Sequence, residues 1–193
     1  MKGLLHLIKY VVTTKNRGLV IKPNRIWNGD KEFKFKISGR SDSDYAANTD
    51  DRRSVSGGRT FLESVPVIHR SATQKFVTLS VTEAESTAGV MVVQDMLYTY
   101  RMLISMGLQV QLPMMLEMDS KGAVDLANNW SVGRLALHVD VRNYFLRELK
   151  DEGVLIIRHV AGEDNEADIS TKNTSGGLCL RNTFVSSSGM TSI

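Results

Sequence analysis

The sequence predicts one α/β domain built on a mixed sheet, and three observations carry that reading. Strand-like segments come first, from Phe33 to about Ser71. Helix-like and strand-like segments then alternate up to about Lys172. Finally, 42% apolar residues in a chain of 193 suffice for one sizeable core, which excludes disorder of the whole chain. The chain divides into a leading segment (1–32), the α/β domain (33–172) and a Ser-, Gly- and Thr-rich tail (173–193) expected to be flexible.

At the start, Met1, Leu4, Leu5, Ile8, Val11 and Val12 recur at helical spacing, and Gly18 stands where a C-cap would end that helix. A short strand "LVI" follows, ahead of Pro23. Phe33, Phe35 and Ile37 then alternate with lysines and Ser38, the period of a strand running into Asp42. "SGGRTFLESVPVIHRS" holds two further strands, with Pro66 favouring a turn or an edge position.

From Ser80 to about Met106 apolar residues cover more than one stripe, as in a long helix buried on most sides, and Gly107 would end it. Met91, Met96, Met102 and Met106 sit at core spacing on it and need no ligand. Asp95, amid that apolar helix, requires a partner that the sequence does not name. "PMMLEMD" reads as a strand stopping at Asp119, followed by a short helix through "SKGAVDLAN". A helix from about Val139 to Lys150 carries Val141, Tyr144, Phe145 and Leu149 inward, and "GVLIIRHV" is the clearest short strand.

Composition excludes several function classes. The single Cys179 rules out an internal disulfide and any multi-cysteine zinc site, and it suits a reducing compartment, so cytosol or nucleus is the expected location. No run of about 18 apolar residues exists to span a membrane, and the interrupted "MKGLLHLIKYVVTTK" does not read as a signal peptide. The net charge of +3 supports no partner by itself. Its distribution says more, because Lys2, Lys9, Lys15, Arg17, Lys22, Arg25, Lys31, Lys34 and Lys36 crowd the first 36 residues. Such a face either attracts a polyanion or is simply solvated, and the two readings stand level.

Acids recur at the ends of these elements. Asp42 closes the first major strand, Glu85 lies in the first turns of the long helix, Asp119 closes "MMLEM", and Asp168 follows the last strand. Brought to one sheet edge, such carboxylates would repel one another unless cations sat among them, and hard oxygen ligands suit Mg²⁺. Two such ions, about 3.5–4 Å apart, would activate water and stabilise a leaving oxygen in phosphodiester hydrolysis. Each acid also has an ordinary role. Glu85 could close a capping box with Thr82, although Ser80 with Glu83 makes the same box in a register that starts the helix earlier and leaves Glu85 free. Asp168 suits a helix start opened by Asp164 or Asn165, and Asp42 and Asp119 suit turns.

Taken together, "SDSDYA…DDRRSVSG", "TLSVTEAES", "LEMDSKGAVDLANN", "HVDVRNYFLRE" and "NEADISTK" resemble, in order and spacing, the RNase H domain of copia-type LTR retrotransposon polyproteins. The resemblance runs from about Phe35 to Lys172, and "GLLHLIKYVVTTKNRGLVIKP" looks like the segment joining a reverse transcriptase to that domain. It implies an RNase H-like fold, a five-stranded mixed sheet with three antiparallel strands and flanking helices. It also implies endonucleolytic hydrolysis of the RNA strand of RNA–DNA hybrids with two Mg²⁺ or Mn²⁺ ions. The family's four metal-holding, catalytic acids fall on Asp42, Glu85, Asp119 and Asp168, with Asp44 beside the site. The implied partners are the hybrid duplex and the reverse transcriptase of the same polyprotein, in a virus-like particle where an element is active.

Three positions depart from the family pattern. Ser86 stands where Tyr is usual, Ser120 where Asn is usual, and the basic residue before His138 is missing. They motivate a second reading, a relic that binds nucleic acid without cutting it. His159 is expected to be structural. His138 and Asp140 suit either a helix start or substrate contact, and Arg52 and Arg53 either a turn or phosphate.

Overall fold

The structure is a computed structural model that describes residues 2–15, 21–128 and 137–171. Its elements run α1 (Lys2–Thr14), β1 (Lys34–Phe35), β2 (Ile37–Asp44), β3 (Val55–Leu62), β4 (Val65–Thr73), α2 (Val81–Ser105), β5 (Gln109–Val110), β6 (Met114–Met118), α3 (Lys121–Asn128), α4 (Leu137–Asp151) and β7 (Leu155–His159). Two 3-10 segments follow, η1 (Gly162–Asp164) and η2 (Glu166–Ser170).

Five strands form a mixed sheet in the order β4-β3-β2-β6-β7. The β4-β3-β2 half is antiparallel, and β2, β6 and β7 run parallel. The expected single strand from Phe33 to Asp42 is instead two. Lys34–Phe35 pairs with β5 in a separate two-stranded ladder, whereas β2 joins the main sheet and continues two residues past Asp42 to Asp44. Pro66 lies in the edge strand β4, where a missing N–H is tolerated. The β3–β4 turn is made by Glu63 and Ser64, with φ of 50° and 67°, the paired left-handed geometry that suits the twist of a hairpin.

The helix α2 starts as the second capping register predicts. Ser80 is the N-cap, and its hydroxyl accepts from the Glu83 N–H at 3.1 Å. Glu83 in turn accepts from Leu79 N–H, which leaves Glu85 clear of the cap. Ala84, Ala88, Val92, Val93 and Met96 are buried beneath it with Ile37, Leu116 and Met118. Gly39 and Gly58 let α2 approach this closely, since a Cβ on Gly39 would lie 2.5 Å from Val92 Cγ1 and one on Gly58 would also strike Val92. Gly107, at φ 75°, follows the C-cap Met106. Met102 and Met106 are exposed rather than core residues, while Leu103 between them stays in the core.

The other face of the sheet is more polar, carrying Arg40 and Arg59 beside the buried Phe61. Gly57, next to Gly58, faces Thr171, Ser170 and Ala167 of the η2 region, so η2 lies opposite α2. The helices α3 and α4 pack with α2 and β7. On α1, Leu4, Leu5, Leu7, Ile8, Tyr10, Val11 and Val12 are all exposed, so its apolar stripe is not part of this core. Gly18, most of "LVI" and the 173–193 tail lie outside the described residues, as do the side chains of His138, Val141 and Asp140. Among the described residues, no helix is long and apolar enough to cross a membrane.

Candidate metal centre at the sheet edge

Strand direction and register bring the first two acids together. The parallel strands β2 and β6 end at the same edge, with Ser41 opposite Met118, so the next residues, Asp42 and Asp119, come side by side. This is the carboxyl edge of the parallel strands, and β2 is where the sheet changes from antiparallel to parallel, a switch point of the kind where open α/β sheets leave a crevice. Glu85 arrives from α2 over the same edge. Oxygens of Asp42, Glu85 and Asp119 all lie within 4.8 Å of one another.

Glu85 is the most perturbed of the three. Its Oε1 accepts from the Ser43 N–H at 3.2 Å and the Ser43 hydroxyl at 2.9 Å, while its Oε2 is buried without a hydrogen-bond partner. Burial, then Asp119, then Asp42 push its carboxyl up to about 8, with the Ser43 bonds opposing. Three carboxyl groups, one of them with a buried oxygen that lacks a hydrogen-bond partner, form a hard oxygen donor set that matches a divalent cation. A cation here would relieve the repulsion from Asp119 and Asp42 that adds to the effect of burial on Glu85.

The neighbours hold this edge. The Thr171 hydroxyl donates to Asp42 Oδ2 and lies 3.1 Å from the Asp168 carbonyl. His159 Nε2 lies 3.0 Å from the Asp119 carbonyl. Ser120 caps α3, its Oγ accepting from Ala123 N–H at 3.3 Å. The fourth expected acid, Asp168, sits half-buried on η2 outside the 4.8 Å group and connects to it through Thr171. Asp44 ends β2, half-buried, two residues along the strand from Asp42.

Sequence reasoning missed Ser43 and Thr171. Thr171 lies inside the quoted "NEADISTK", but only the fold reveals that it meets Asp42. Arg53 pairs with Asp51 at 3.3 Å in a turn where Arg52 has φ 57°. Among the basic residues near the start, Arg25 is engaged by Glu63, at 2.5 and 2.9 Å, and stacks over Phe33.

The architecture is the RNase H-like fold. It superposes on the RNase H1 isolated from compost by a metagenomic approach, LC11-RNase H1, with a TM-score of 0.54 at 19% identity over 70% of this chain and 91% of that one. The same enzyme solved in complex with an RNA/DNA hybrid gives 0.53, at 19% identity over 69% of this chain and 92% of that one. The N-terminal RNase H domain of rv2228c from Mycobacterium tuberculosis gives 0.51 at 15% identity, over 76% of this chain and 98% of that one.

In sequence, the chain is 32% identical over 136 residues to the retrovirus-related Pol polyprotein from transposon TNT 1-94 of Nicotiana tabacum, covering 70% of this chain and 10% of that protein. The Pol polyproteins from transposons RE1 and RE2 of Arabidopsis thaliana are each 28% identical, over 89% and 88% of this chain and 11% of their own length. No family model matches. The chain is thus a homologue of retrovirus-related Pol polyproteins from transposons with the fold of an RNase H domain, the combination found in a copia-type RNase H region. It spans about a tenth of the length of the curated relatives it matches.

Proposed function

We propose that this chain is a retrotransposon-derived ribonuclease H that hydrolyses the RNA strand of RNA–DNA hybrids, using Mg²⁺ or Mn²⁺ held by Asp42, Glu85, Asp119 and Asp168. The observation that carries the reading is the meeting of Asp42, Glu85 and Asp119 at one sheet edge, with the Glu85 carboxyl raised by burial and then by the other two. Asp42 comes from the central strand, Asp119 from the end of β6 and Glu85 from the start of α2. No two of them can leave the site together by movement of one element.

Divalent cations bound here would supply Lewis-acid activation of water and neutralise charge at the departing 3′ oxygen. The protein's part is to hold the ligands. Ser43 fixes one oxygen of Glu85 and leaves the other buried without a hydrogen-bond partner. His159 fixes the backbone of Asp119, and Thr171 fixes one oxygen of Asp42. A hybrid would be selected by duplex shape and 2′-hydroxyls, with basic side chains holding phosphates. Within a polyprotein, the reverse transcriptase would be the natural partner for the 1–32 segment, ahead of a nuclease domain at 33–172.

One observation favours the relic reading. The Ser86 hydroxyl, beside Glu85, is buried without a hydrogen-bond partner where the family pattern has Tyr, so the support behind Glu85 is altered. A single assay separates the two. A labelled RNA–DNA hybrid is incubated with the purified chain in Mg²⁺ and in Mn²⁺, beside Asp42→Asn and Asp119→Asn. The nuclease reading expects cleavage by the parent, lost in both variants. Binding of the hybrid without cleavage by a folded parent would establish the relic.

A further inference from the structure

Three successive residues of β2 each grip the 164–171 segment, by different chemistry. The Arg40 guanidinium donates to the Asp164 carbonyl at 3.0 Å and pairs with Glu166 at 3.0 Å and with Glu117 at 2.8 Å. The Ser41 carbonyl accepts from Asn165 Nδ2 at 2.9 Å. The Asp42 carboxylate accepts from the Thr171 hydroxyl. Arg59 lies opposite Arg40 in the β2–β3 ladder, and Glu166 sits between these like charges, its second oxygen 3.6 Å from Arg59.

Asn165 is the pivot of this arrangement. Its side chain is fully buried. The amide nitrogen grips β2, while Oδ1 accepts from the Ala167 N–H at 3.2 Å and so caps η2. An Asn amide carries both a donor and an acceptor. Asp would face the Ser41 carbonyl with an acceptor, and Ser would cap η2 but fall short of β2.

The 3-10 winding adds the last element. Asp168 N–H donates to Asn165 O, and Thr171 N–H donates to Asp168 O, each at 3.2 Å. Asn165, Asp168 and Thr171 are thus spaced one 3-10 turn apart, at the N-cap, within and at the C-cap of η2. The first is tied to Ser41 and the last to Asp42.

We infer that Asn165, supported by Arg40 and Glu166, is the positioning residue that holds Asp168 beside the carboxylate cluster, within reach of a cation shared with it. This rests on the metal-dependent reading above. Asn165 does not touch substrate or cation. It acts by fixing the phase of η2 relative to β2, a charge-free grip inside a charged site.

The test is Mn²⁺ binding to the full chain by calorimetry, with far-UV circular dichroism in EDTA as the folding control. Asn165→Ser is expected to weaken binding about 10-fold, within the range for residues that orient metal ligands, and Asp168→Asn by a comparable factor. The double variant should bind no more weakly than Asp168→Asn alone, since nothing then remains to be positioned. Should Asn165→Ser fail to fold, Arg40→Lys, which keeps the charge but loses the reach to Asp164, enters the same cycle. Parental affinity in Asn165→Ser, or effects that multiply in the double variant, would overturn the inference. No Mn²⁺ binding by the folded parent would instead overturn the metal-dependent reading, and the inference with it.

Discussion

On one side of β2, Ile37 and Gly39 lie under α2 in an apolar cluster with Val92 and Met96. On the other, Arg40 and Asp42 lie under η2 in a web of donors and acceptors. The faces alternate residue by residue along one strand, yet they are held by different physics. The apolar face is stabilised by volume and buried area, so its energy is large and its geometry can relax a little. The polar face relies on individual bonds of fixed direction, each contributing less, and it holds atoms in place. The candidate centre draws on both: Glu85 rides on the helix of the first face, Asp42 points to the second, and Ser43 links them.

Breaking the apolar face should give the largest effect on stability. Leu116 is fully buried near Gly89 of α2, and Leu116→Ala should cost about 2–5 kcal/mol in denaturant unfolding. A cost below about 1 kcal/mol would mean that α2 is not seated as described.

The next effect depends on pH. Burial and the neighbouring acids push the Glu85 carboxyl up to about 8 in the folded chain, from an ordinary value of 4.5. The folded state therefore holds a proton that the unfolded state releases between these limits, and stability falls as pH rises through that window. The slope is at most about 1.4 kcal/mol per pH unit. Glu85→Gln should flatten the slope in EDTA, and an unchanged slope in this variant would assign the repulsion elsewhere.

The smallest effect probes the polar exception on the apolar face. Asp95, buried on α2, is paired at 2.8 Å with Arg70 of the edge strand β4. Arg70→Ala should cost about 1 kcal/mol by leaving that carboxylate unpaired, and Asp95→Asn in the Arg70→Ala background should recover part of it.

The two faces were also unequally legible. Apolar spacing is a local signal, so α2, β6, β7 and the Ser80 cap could be read from neighbouring residues. The acids could be placed at element ends, and family resemblance linked them. The polar ties were invisible because they join residues far apart in sequence: Asn165 to Ser41, Thr171 to Asp42, and Arg70 to Asp95, the partner the sequence could not name. The split of the Phe33–Asp42 strand was hidden for the same reason, since only the β5 partner draws Lys34–Phe35 out of the main sheet. On α1, helical spacing gave a helix, but spacing does not say what covers a stripe.

The central claim is that carboxylates from β2, β6 and α2 form one cation site. Anomalous scattering from crystals of the chain equilibrated with millimolar Mn²⁺ tests it most directly. The account predicts a peak bonded to oxygens of Asp42, Glu85 and Asp119, absent in Asp119→Asn. A well-ordered edge with no peak, or Mn²⁺ bound only elsewhere, would contradict it.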